Sequence, residues 1–96
     1  MNTSWIRYRT HALQQMTERA ITRSEAKGVL DNGDVVERGH RTGQPFPSRL
    51  LLGWSGDRPL HVLVADDPGG TQYVITVYEP DTERWEADFR TRKEKS

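Results

Sequence analysis

The side chains best suited to moving protons at neutral pH are three histidines, His11, His40 and His61. None has the i, i+4 partner of a zinc-protease helix, and the chain contains no Cys, so no metal centre, thiolate nucleophile or cofactor is expected. His61 stands in the apolar stretch Leu60-His61-Val62-Leu63-Val64, where strand alternation turns it away from Val62 and Val64. Such a residue is either a hydrogen-bonded structural histidine or a proton donor or acceptor facing a cleft. His11 opens a candidate helix, a position that suits a general base or a capping and packing role. Arg49 follows a Pro-rich loop at the start of a strand, and Tyr78 ends a strand just before Pro80; strand ends are where a sheet presents side chains to a ligand. Arg19 closes the first helix, where it either satisfies terminal carbonyls or meets an anion.

Other chemistries lack their motifs. Gly69-Gly70 has no GxGxxG or GxxxxGK context, and Ser55-Gly56 belongs to a turn rather than to a Gly-x-Ser-x-Gly elbow. A helix-turn-helix between Thr10 and Gly33 would offer few base-reading side chains beyond Arg23 and Lys27.

The elements that must position these residues follow from periodicity. Trp5 to Arg9 reads as a short strand. Thr10 is the expected N-cap of a first helix whose apolar side is Ala12, Leu13, Met16 and Ala20. Thr22-Arg23-Ser24-Glu25 fits a capping box before a second helix carrying Ala26, Val29 and Leu30, and Gly33 is its expected left-handed stop. From there the period is that of strands: Val35–Arg38, a loop over Gly39–Pro47, then Arg49–Trp54, Pro59–Ala65 and Gln72–Tyr78, with turns at Ser55–Arg58 and Asp66–Gly70. Trp85 is expected to fold back over an edge of the sheet. The reading is an α+β domain over residues 1–85, a short N-terminal strand and two helices followed by an antiparallel four-stranded meander. Residues 86–96 read as a frayed charged tail.

Composition sets the outer bounds. The 96 residues hold 14 Lys+Arg and 14 Asp+Glu, too even a balance to hold long nucleic acids by charge alone. Residues 1–30 carry five basic and two acidic side chains, and residues 61–96 carry five and eight, so a local basic cleft remains compatible with neutrality. Eleven of the cations are Arg, the side chain that grips phosphate or carboxylate with two parallel bonds. The longest apolar run, Val62–Ala65, is far below the roughly 20 residues of a membrane span. A cytoplasmic protein without a membrane partner is therefore expected.

Several blocks in one order carry a resemblance: Thr10-His11-Ala12-Leu13 with Met16 and Arg19; Pro47-Ser48-Arg49-Leu50 with Gly53; Pro59-Leu60-His61-Val62; and Tyr73 through Asp81 with Trp85. Together they resemble the small bacterial proteins of domain-of-unknown-function family 4258, over nearly the whole chain from Ile6 to Trp85. That family is similar to RelE/ParE-like toxins, which implies a toxin of a type II toxin–antitoxin pair that cuts mRNA without a metal. The resemblance also implies a cognate antitoxin of zinc-finger and helix-turn-helix design, and mRNA or the ribosome as the other partner. On this reading His61 and His11 transfer protons, Arg49 and Arg19 stabilise phosphate charge, and Tyr78 orients the 2′-hydroxyl or a base. The alternative is a non-catalytic interaction module, either a gyrase-directed toxin or a regulatory partner-binding protein.

Overall fold

The computed structural model of the chain describes residues 5–39 and 46–94; residues 40–45 of the expected loop, His40 among them, lie outside the described residues. Seven elements follow one another: β1 (Trp5–Tyr8), α1 (Thr10–Glu18), α2 (Arg23–Asn32), β2 (Asp34–Gly39), β3 (Ser48–Ser55), β4 (Arg58–Asp66) and β5 (Thr71–Tyr78). The five strands form one sheet in the order β1-β5-β4-β3-β2. This overturns the expected four-stranded antiparallel meander: β1 adds a fifth strand that runs parallel to β5, with Trp5 opposite Thr71 and Tyr8 opposite Val74, and the sheet is mixed. The cause is non-local. Without β1, the amides and carbonyls at the start of β5 would lie on an open edge, and α1 with α2 carries the chain from β1 across to β2 at the far side.

Local chemistry explains most boundaries. At α2, the Thr22 hydroxyl accepts from the Glu25 amide at 3.0 Å while the Thr22 amide donates to Glu25 Oε1 at 2.9 Å, which satisfies two otherwise unpaired donors at once. Two expectations are corrected here. The N-cap of α1 is Arg9, without a side-chain bond, and Thr10 is the first helical residue. Gly33 is extended (φ −72°) rather than left-handed; what it supplies is room, since a Cβ there would lie 2.5 Å from the Val29 carbonyl oxygen and 2.9 Å from that of Leu52. Beyond the four residues of β1, the exposed edge of β5 is capped by a side chain: the Val77 amide donates to Gln15 Oε1 at 3.0 Å.

Both helices lie on one face of the sheet. Ala12, Met16, Ile21, Ala26, Val29 and Leu30 pack there against Leu51, Leu60, Val62, Val64, Val74 and Val77 in a single buried cluster. Two β-bulges decide what the opposite face receives. Val64 pairs with Val74 while Leu63 pairs with Thr76, so Ile75 is the extra residue. That lets Val74 and Val77, three positions apart, both face the helices and turns Tyr78 to the other side. In the same way Val36 is extra in β2, because Val35 pairs with Leu51 and Glu37 with Leu50; Val35 joins the helix-side core and Glu37 points away from it. No helix among the described residues is long and apolar enough to cross a membrane.

Candidate functional site

The face away from the helices holds His61 and Tyr78. His61 and Tyr78 are directly paired across β4 and β5. His61 is fully buried (0% exposed), and both ring nitrogens are bonded: Nε2 lies 2.8 Å from the Phe89 carbonyl oxygen and Nδ1 lies 3.0 Å from the Tyr78 hydroxyl. A carbonyl can only accept, so in the neutral ring Nε2 carries the proton and Nδ1 accepts from Tyr78. Burial pushes the His61 pKa below its ordinary value, and the bond to the Phe89 carbonyl opposes part of that shift. The buried ring stands edge-to-face against Trp85 at 4.5 Å and against Tyr78 at 5.2 Å.

What covers His61 is the segment after β5. Asp81 Oδ1 accepts from the Glu83 and Arg84 amides, starting a turn that drops Trp85 onto the sheet. A narrow closure follows, in which the Lys93 amide donates to the Arg84 carbonyl and the Glu86 amide to the Thr91 carbonyl. Inside it Asp88 binds the Arg90 and Thr91 amides, and these bonds hold the Asp88 carboxyl below its usual range. Phe89 sits at φ +57°, a left-handed conformation that costs a bulky side chain free energy and persists only where neighbours enforce it. Here the Asp88 turn and the His61 bond enforce it. Arg92 closes the segment by gripping Glu37 with two bonds and lying 4.6 Å over the Trp85 ring. The residues expected as a frayed tail thus supply, through Phe89, a hydrogen bond to a buried histidine.

Beside this cover lies a cleft of about 350 Å³ lined by Arg19, Thr76, Tyr78, Glu79, Asp81, Arg84, Trp85 and Arg92. Its charges are not balanced. Glu79 is paired to Arg58 at 2.8 Å and one oxygen of Asp81 accepts two backbone amides; against these two carboxylates stand three lining guanidinium groups, of which Arg19 and Arg84 have no ion-pair partner among the described residues. Two guanidinium groups outside any ion pair among the described residues suit an oxyanion such as a phosphodiester, while the Tyr78 oxygen, its proton given to His61, is left to accept a hydrogen bond from a ligand hydroxyl. Arg58 fixes the geometry, since its guanidinium also bonds the Arg19 and Ala20 carbonyls and so ties the end of α1 to the cleft.

Around Tyr78 the structure assembles most of the residues singled out in the sequence. His61 is bonded to it, Arg19 shares its cleft, and Arg49 lines a second recess of about 100 Å³ together with Tyr78 and Arg92. Arg49 is committed elsewhere, however, with Nε 2.7 Å and Nη2 3.1 Å from the two carboxylate oxygens of Asp66. His11 stands apart: it is exposed on α1, a helix that packs on the face of the sheet opposite His61. Arg92 and Phe89 had no sequence signal beyond membership of the charged stretch 86–96, and Arg84 had none. Among the described residues no three potential metal ligands form a cluster.

The model of one protein family, described as a domain of unknown function (DUF4258), matches residues 8–79. That span runs from the end of β1 to Glu79 at the cleft. No curated protein and no solved structure matches the chain.

Proposed function

The chain belongs to the DUF4258 family, a domain of unknown function, and we propose that this protein is a metal-independent endoribonuclease acting on mRNA, the toxin of a type II toxin–antitoxin pair held in check by a cognate antitoxin. The observation that carries the reading is one cleft lined by Arg19 and Arg84, neither in an ion pair among the described residues, and by Tyr78, whose hydroxyl is bonded to a buried imidazole. The similarity of that family to RelE/ParE-like toxins, as the motif blocks imply it, supplies the toxin part of the reading.

The chemistry is attack of a ribose 2′-oxygen on its own phosphate. The Tyr78 oxygen takes the 2′-hydroxyl proton as the Tyr78 proton passes to His61 Nδ1, and the imidazolium so formed keeps its Nε2–H bond to the Phe89 carbonyl. The new bond joins the 2′-oxygen to phosphorus, and the bond to the 5′-oxygen breaks. The products are a 2′,3′-cyclic phosphate and a 5′-hydroxyl, which regains the proton from the relay. Arg19 and Arg84 stabilise the charge of the crowded phosphorane. In this scheme His61 is a positioning and relay residue behind Tyr78, and His11 has no part.

A second reading, the non-catalytic interaction module, is favoured by one fact: His61 has no exposed surface and both its nitrogens are satisfied, as a purely structural histidine would be. One experiment separates the two. The purified chain is incubated with labelled mRNA in EDTA, with and without ribosomes, and fragments are scored for cyclic-phosphate ends. The ribonuclease reading expects discrete fragments that vanish in Arg19→Gln/Arg84→Gln; absence of cutting under either condition supports the interaction module.

A further inference from the structure

We propose that Trp54 and Phe89 form a stacking subsite for an unpaired nucleobase beside the arginine cleft, so that the ligand is a single-stranded RNA segment bound at a phosphate and an adjoining base. The inference rests on the reading of the cleft as an RNA site and adds what the neighbouring surface selects. Trp54 is 57% exposed, at the end of β3 on the same sheet face as His61, and its ring meets Phe89 edge-on at 6.0 Å. An exposed indole held by a second ring is a flat, preordered surface, and stacking on such surfaces tolerates any base. Phe89 in turn lines a recess of about 510 Å³ that also contains Arg19, Pro59 and Pro80. Arg19, Glu79 and Asp81 line both this recess and the cleft, so Phe89, with Trp54 against its ring, borders space that adjoins the cleft of Arg19 and Arg84.

The backbone points the same way. Phe89 is held at φ +57° although no glycine replaces it, and its carbonyl is anchored on His61. Holding a large ring in that conformation fixes where the ring stands relative to Trp54. On the cleft side Arg19 and Arg84 supply positive charge for a strand phosphate, with Glu79 held by Arg58, whereas an uncharged ligand would draw nothing from them.

The test is binding of a short, fully 2′-O-methylated RNA oligonucleotide, which cannot be cleaved, followed by fluorescence anisotropy with wild type, Trp54→Ala and Trp54→Phe. A matched oligonucleotide with an abasic position is the second arm, and it reads the subsite on unaltered protein should Trp54→Ala fold poorly. The expectation is a loss of about five- to hundredfold for Trp54→Ala with the intact strand, substantial recovery in Trp54→Phe, and a weaker wild-type complex with one abasic strand. Combining Trp54→Ala with that strand should cost little more than either change alone. If RNA binds and is cut while Trp54→Ala and every abasic position leave affinity unchanged, stacking is overturned and the cleft reading survives. If no oligonucleotide binds and no RNA is cut, both fall.

Discussion

One face of the sheet is closed by aliphatic side chains from two helices, and part of the other is covered by a sixteen-residue stretch, residues 79–94, that contains no helix and none of the five strands. Beneath α1 and α2 the contacts are Leu, Val, Ile, Ala and Met, which stabilise by burial and carry no chemistry. Beneath the C-terminal segment the strands instead present His61 and Tyr78, met by Trp85, a backbone carbonyl and an Arg92–Glu37 pair. The comparison teaches a division of labour: cohesion resides on the helix side, and the groups able to bind or react lie under a cover held by a few directional bonds. Covers of that kind belong to the low-stability end of a fold, where local opening is cheap.

The largest effect should come from the helix side. Leu51→Ala, which opens a cavity in the fully buried cluster, is expected to cost about 2–5 kcal/mol in chemical denaturation. On the other face, Trp85→Ala should cost less globally but open residues 79–94 to trypsin at Arg90 and Arg92 while the helices stay protected. Equal protease sensitivity of both faces would erase the contrast.

How much of this was legible in the sequence depended on distance along the chain. The Thr22–Glu25 box was readable because both partners sit within one helical turn. The orientation of Tyr78 was not: simple alternation from Val74 places residue 78 toward the helices, and only the bulge at Ile75 reverses it. The same holds for Glu37, turned outward by Val36. Pairing of β1 with β5 joins residues more than sixty positions apart, beyond any local pattern. The segment after β5 was hidden by its charge, which resembles a solvated tail; its folding depends on Trp85, Phe89 and Arg92 finding His61, Trp54 and Glu37.

A smaller effect tests the buried histidine. Its folded-state pKa lies below the ordinary 6.5, so as pH falls the unfolded chain takes up the proton first. His61 therefore contributes stability that is fully present above about pH 6.5 and is lost below it, until its folded pKa is passed, with a slope of at most about 1.4 kcal/mol per pH unit. Denaturation between pH 7.5 and 4.5 should show this component in wild type and lose it in His61→Gln. The smallest change is expected for Glu37→Gln, which unlatches a partly exposed ion pair: about 0.5–1 kcal/mol at low salt, fading at high salt.

The account turns most directly on Tyr78. Formation of 2′,3′-cyclic phosphate from labelled mRNA, measured per folded molecule, should be compared between Tyr78→Phe on the segment face and Val62→Ala on the helix face. The account predicts a loss of at least about a hundredfold for Tyr78→Phe and none for Val62→Ala once the folded fraction is taken into account. Activity in both variants that simply follows the folded fraction would contradict it.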